Sequence, residues 1–158
     1  MLLGIESFRL LIPLLDSDMD RTQVEAQNSE VMDHCLPEQP DEWLAEIRLA
    51  IADAREKGPF GELIGQPITD ANLFHLAPLV CMKYRGIDYR DEPLRKKVTE
   101  GALANYVVNS DPDGVDHGLE QRPLLAFALC YVSAHYVLDL IDEHEAEGIL
   151  GYCEQHVD

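Results

Sequence analysis

The stretch Leu124–Ile141 constrains this chain more than any other. Its polar groups are confined to Ser133, His135 and Asp139. A helix that is apolar on every side has to be enclosed by other elements. The sequence therefore predicts a central core helix over about residues 122–143, surrounded by a helical bundle. It is a poor membrane span, because crossing a bilayer takes ~20 predominantly apolar residues and this run is shorter and interrupted. The acidic run Asp142–Glu147 continues the helix towards Gly148, and a short final helix is expected over Ile149–Gln155.

Apolar residues at helical spacing place the remaining helices. Trp43, Leu44, Ile47, Ala50, Ile51 and Ala54 form a stripe, which predicts a helix over 41–57, started by Pro40 and Asp41 and stopped by Gly58 and Pro59. Residues 58–66, with three glycines in the wrong spacing for a nucleotide fingerprint, read as a loop. Thr69 or Asp70 caps a largely buried helix over 70–85, kinked at Pro78 because the ring removes a backbone donor, and ended by Gly86. Asp91 caps a helix over 92–108 with Pro93 in its first turn. Residues 16–40 form a linker or weakly helical arm, in which Thr22 and Glu25 make a capping box. The apolar N-terminal residues dock on the body. No segment alternates as a strand does. The expectation is an all-α, single-domain bundle of about five or six helices spanning residues 1–158, a length suited to one domain.

The four cysteines, Cys35, Cys81, Cys130 and Cys153, are dispersed and form no C-x-x-C pair, as expected for reduced structural thiols rather than a disulfide framework. The N-terminus lacks the basic region of a signal peptide, and the reading is cytoplasmic.

Charge narrows the partners. Acidic residues number 30 against 12 basic ones, a net charge of −18. Direct binding to nucleic acid needs a basic surface, and an anionic membrane repels an acidic chain, so neither is expected. The charge is uneven: residues 109–158 hold eleven acids and one base, whereas residues 59–108 balance at six and six. Lys83, Arg85, Arg90, Arg95, Lys96 and Lys97 crowd into the neutral part. They read either as a solvated surface that pairs with the acidic C-terminal segment or as a small-anion site.

One loop carries a specific pattern. In Asn109–Glu120, oxygen-bearing residues alternate as Asn109, Asp111 and Asp113. Gly114 follows where a sharp turn is needed, then the Val115 carbonyl and the Glu120 carboxylate. These twelve residues resemble the calcium loop of EF-hand proteins, in which alternate residues converge on an ion that takes 6–8 oxygen ligands. The resemblance implies Ca²⁺ as the one cofactor to consider, held by Asn109, Asp111, Asp113, Val115 and Glu120. The loop departs from the pattern in having Asn first and Asp116 at the eighth position. Asp16, Asp18 and Asp20 do not supply a partner loop, since Arg21 stands at the glycine position. A polar helix–helix connection rich in Asx turns fits the same residues.

His135 and Asp139, four apart, share a face if one helix holds both, which would suit an acid/base pair. A core histidine satisfied by a neighbour fits equally. Cys153 and His156 have half of a zinc spacing. No nucleophile elbow, phosphate loop or zinc-peptidase helix occurs, so nothing positive supports an enzyme. The leading expectation is a small non-enzymatic protein that engages a basic protein partner, as inhibitors, immunity proteins and nucleic-acid mimics do. Asp139, Asp142, Glu143, Glu145 and Glu147 would form the contact face together with Asp116. A calcium-responsive protein using loop 109–120 and an enzyme centred on His135 and Asp139 are the alternatives. A second copy of the chain could also cover the apolar helix.

Overall fold

The computed structural model describes residues 8, 10, 11, 36–56, 59–110 and 119–156, the side chains of Pro59 and Glu120 excepted. Most of the 16–40 arm, including Thr22 and Glu25, lies outside the described residues. The stripe that begins at Trp43 forms α1, Pro40–Arg55, with the six expected apolar residues buried. Its start is held by Glu42, whose carboxylate accepts the backbone N–H groups of Glu38 and Gln39 at 2.9 and 3.1 Å. Side chains used in this way satisfy donors that the first helical turn leaves without partners.

Residues 59–64, expected as loop, form a short helix, α2, Pro59–Ile64. Proline is suited to a first helical position, Phe60 supplies a buried anchor, and Gly65 at φ 65° turns the chain away. The single kinked helix expected over 70–85 is two elements. A 3₁₀ turn, Leu73–Leu76, is followed by α3, Ala77–Tyr84. Pro78 lies in the first turn of α3, where no N–H is required, so the proline starts a helix instead of bending one. Neither Thr69 nor Asp70 caps a helix. Asn72 organises the turn, its side chain accepting the Thr69 N–H at 2.8 Å and donating to the Pro67 carbonyl at 2.7 Å.

At the end of α3, Gly86 at φ 71° lets the Gly86 N–H reach the Lys83 carbonyl and the Ile87 N–H reach Met82. This is the Schellman pattern, which closes a helix with a left-handed residue. α4 follows as Glu92–Ser110, with the Asp91 carboxylate facing the Leu94 N–H at 3.4 Å. A second 3₁₀ turn, Leu119–Gln121, leads into α5, Pro123–Val137.

α5 is the central helix, and all but Pro123, Leu124 and Tyr136 of its residues are buried. It packs against α1, α3, α4, both 3₁₀ turns and the last helix, α6, Glu143–His156. The described residues contain six α-helices and no strand, an all-α bundle. None of the described helices is long and apolar enough to cross a membrane. Phe8 and Leu10 belong to the core, and the Leu11 N–H donates to the Asn105 side-chain oxygen.

The C-terminal end differs from expectation. The core helix stops at Val137 and does not run on to 143. Asp139 takes φ 61°; its N–H donates to the Tyr136 carbonyl at 3.0 Å, and the Leu140 N–H donates to the His135 carbonyl at 2.9 Å. This is a second Schellman closure with aspartate in the left-handed position, one of the few residues besides glycine that adopt it. α6 then begins at once. The Asp142 carboxylate accepts the Glu145 N–H at 2.7 Å, and the Glu145 carboxylate accepts the Asp142 N–H at 3.2 Å. That reciprocal capping box makes one helix of residues 143–156, where a continuation of α5 and a short final helix were expected.

α4 and α5 approach closely at Gly101. A Cβ added at Gly101 would stand 2.8 Å from a Val137 methyl carbon, whereas one at Gly148 in α6 meets nothing within 4 Å. Gly101→Ala should therefore destabilise the fold by about 1–3 kcal/mol through overpacking. Gly148→Ala should stabilise it by about 0.5–1 kcal/mol, because alanine is the better helix former. Urea unfolding of the two variants reads both signs.

Candidate functional site

Two places gather chemistry-bearing side chains that bear on function. The first is inside the bundle, where α1, α3 and α5 meet. Arg85, the residue that caps the C-terminus of α3, is only 2% exposed. Its Nε–H donates to His135 Nε2 at 2.9 Å. Another guanidinium nitrogen pairs with the Glu46 carboxylate, which also accepts the Tyr131 hydroxyl at 2.8 Å. The guanidinium carbon lies 5.7 Å from the centre of the Trp43 ring, and Trp43 meets His135 edge-on at 4.8 Å.

These contacts determine the protonation of His135. Nδ1 is 2.8 Å from the Tyr131 carbonyl oxygen, which can only accept, so Nδ1 carries the hydrogen. Nε2 faces a guanidinium N–H, which can only donate, so Nε2 carries the lone pair. The imidazole is neutral and both nitrogens are used. Complete burial, reinforced by the Arg85 charge, holds its pKa down at about 3, against a smaller opposing effect of the bond to Tyr131. Cys81 Sγ lies 3.4 Å from Nδ1, but burial pushes the thiol well above its ordinary range despite Arg85. Burial likewise raises the Tyr131 hydroxyl, with the charges of Cys81 and Glu46 adding to the effect. Near neutral pH the group therefore supplies neither a thiolate nor a free imidazole lone pair. It acts as a polar clasp that ties α1 and α3 to α5.

His135 and Asp139 do not form the acid/base pair that their spacing suggested. α5 ends between them. His135 is fully buried and turned to Arg85, while Asp139 is exposed beyond the helix end. Two residues of the basic stretch, Lys83 and Arg85, pair with carboxylates of α1. Arg85 goes to Glu46, and Lys83 to Asp53 at 3.1 Å, neither of them in the C-terminal segment.

The second place is the turn from α5 into α6. Asp142, Glu143 and Glu145 are exposed and Glu147 is half-buried. Asp142 and Glu145 serve the capping box. Tyr136 is half-buried, and its hydroxyl pKa is raised first by burial and then by the charges of Glu143, Asp139 and Glu147. The charges of three carboxylates, one from the turn and two from α6, thus act on one aromatic side chain. Among the described residues no cation lies within ion-pair distance of Glu143 or Glu147.

In the loop that resembles a calcium site, Asp111, Asp113, Val115 and Asp116 lie outside the described residues. Asn109 is buried in the last turn of α4, and its amide donates to the Asn105 carbonyl at 2.8 Å. Glu120 belongs to the 3₁₀ turn before α5. Among the described residues no group of three or more His, Cys, Asp and Glu is placed to hold a metal.

The clasp was not anticipated from the sequence, although a faint signal exists. Arg85 is four residues after Cys81, and Glu46 is three after Trp43, so Arg85 falls in line with a buried stripe and Glu46 at the border of one. Compared with protein-family models, curated proteins and solved structures, the chain shows no significant match.

Removing one member of a buried charge pair strands the other. Arg85→Met should cost about 3 kcal/mol in stability, and Glu46→Gln in the Arg85→Met background should cost less than it does alone. A double-mutant cycle by urea unfolding measures this. The histidine makes a separate prediction. Its folded pKa is depressed, so from pH 6.5 downwards the unfolded chain binds a proton that the folded chain does not. The full contribution is present above pH 6.5 and is lost as the pH falls towards about 3. Between pH 6.5 and 5 ordinary carboxylates remain largely ionised. There the wild-type protein should lose about 1 kcal/mol more per pH unit than His135→Gln, read from unfolding midpoints across that window.

Proposed function

We propose that this protein is a non-enzymatic binding domain that docks a basic protein segment on the surface where α5 turns into α6. The supporting observation is the arrangement around Tyr136, with Asp139, Glu143 and Glu147 all acting on its hydroxyl. A partly exposed aromatic side chain in the field of three carboxylates is suited to a lysine or arginine side chain. The ring attracts the cation through its quadrupole, and the carboxylates accept its N–H groups. Aromatic residues in such positions carry a disproportionate share of interface energy.

Long-range electrostatics supports the same reading. A net charge of −18 draws a basic partner in and raises the association rate. Glu143 and Glu147 sit in the first half of α6, where carboxylates are also favoured by the helix dipole. The clasp around His135 supports a non-catalytic reading, since its proton-carrying groups are committed to one another.

An arginine- and lysine-rich peptide, measured by stopped-flow association at two ionic strengths, tests the proposal. Glu143→Gln with Glu147→Gln should slow association and flatten its salt dependence. Tyr136→Ala should mainly speed dissociation, by about tenfold for a contact worth ~1.4 kcal/mol. Glu56→Gln with Glu62→Gln removes the same charge from exposed positions elsewhere. An equal effect from that control pair would leave only net charge at work and would sink the proposal.

A further inference from the structure

A cleft of about 230 Å³ opens between α2, the first 3₁₀ turn with α3, and α4. Leu63 and Ile64 of α2 and Leu79 of α3 give it an apolar floor. Its other wall is one face of α4, where Glu92, Lys96 and Glu100 follow each other a helical turn apart, with Arg95 and Thr99 beside them. His75 closes one side.

Arg95 donates to the Tyr89 carbonyl at 3.3 Å, and the other polar side chains of this cleft are uncommitted among the described residues. The side chains of His75, Glu92, Lys96, Thr99 and Glu100 make no hydrogen bond or ion pair with another described residue. Lys96 stands one turn from a glutamate on either side, a spacing that ordinarily favours pairing, and still pairs with neither. His75 is nonetheless held in place: its ring stacks on Phe74 at 4.3 Å, and Phe74 stacks on Tyr106 at 4.1 Å. Partial burial lowers the His75 pKa, which leaves it neutral near pH 7 with one donor and one acceptor to offer. An apolar floor with a few convergent polar groups is the usual make-up of a small-molecule site.

We propose that the cleft binds a small zwitterion, a free α-amino acid with a branched apolar side chain. Three features select that class. The volume lies below the roughly 300–1,000 Å³ typical of drug-sized ligands, so the occupant is small. The apolar floor takes a compact hydrocarbon group. The wall carries two cations and two anions, which suits a ligand with one charge of each sign. Arg95 and Lys96 face the carboxylate, Glu100, one turn on from Lys96, faces the ammonium group, and Thr99 and the imidazole complete the hydrogen bonding. A simple anion or a simple cation leaves one pair of wall charges without a counterpart. The proposal does not depend on the acidic surface around Tyr136.

Titration calorimetry of the full chain with L-leucine tests it, beside 4-methylpentanoate, which lacks the ammonium group, and 3-methylbutylamine, which lacks the carboxylate. Leucine should bind at one saturable site and at least tenfold more tightly than either analogue. Lys96→Gln and Glu100→Gln, both at exposed positions, should each weaken leucine by about tenfold. Thr99→Trp should fill the cleft and abolish binding with an unchanged melting temperature. If the tryptophan variant melts early, the two charge variants decide the matter. The proposal is overturned by no saturable leucine binding, by an analogue that binds as tightly as leucine, or by full affinity in both charge variants.

Discussion

A helix with no side that tolerates water has to be surrounded, and the other elements are arranged around that requirement. α5 is buried along nearly its whole length, so α1, α4 and α6 each give it an apolar stripe while keeping a polar outer face, and α3, buried from Ala77 to Met82, is enclosed with it. Burying a single large aliphatic or aromatic side chain contributes about 1.5–3 kcal/mol, and Leu125, Phe127, Leu129, Val132 and Leu138 are all part of this centre. Close approach is part of the same constraint. Glycine at position 101 brings α4 against Val137 at a distance that leaves no room for a methyl group.

The polar cluster around His135 inside this apolar environment has to be self-sufficient. His135 is on the central helix, so its two nitrogens must find partners in the interior. The Tyr131 carbonyl and Arg85 provide them. Arg85 in turn needs an anion, and Glu46 supplies it at the edge of the core, where its side chain is 18% exposed. The glutamate also satisfies the Tyr131 hydroxyl. Each group settles the protonation or the charge of the next, which ties three helices into one register. Burial keeps the Cys81 thiol protonated, and burial together with Arg85 keeps the imidazole neutral. The candidate binding chemistry lies at the surface instead, around Tyr136 and in the cleft beside His75.

Helix content was legible because it depends on local periodicity. The stripe from Trp43 to Ala54, the closing Gly86 and the Asp91 start all act within a turn or two of themselves, and the structure places them as expected. The boundaries that differ from expectation are each marked by an unobtrusive residue. Asp139 ends α5 in a left-handed conformation that glycine would have announced, and the Asp142–Glu145 capping box was passed over within an acidic run. Pro78 was read as a kink because the 3₁₀ turn before it left no sequence mark. Once the break at 138–142 was missed, His135 and Asp139 looked like neighbours on one face.

The sequence by itself determined that this chain is an acidic, all-helical protein with one helix at its centre, because periodicity and composition are properties of the chain read in order. Only the tertiary structure decided the company each polar residue keeps. Glu46 reaches across 39 positions to Arg85, and Arg85 across 50 to His135. The cleft draws its floor from α2 and α3 and its charged wall from α4. Such pairings follow from how helices pack, and that depends on side-chain volumes along entire faces. No local pattern records it, which is why the acidic run was visible at once and the clasp and the cleft were not.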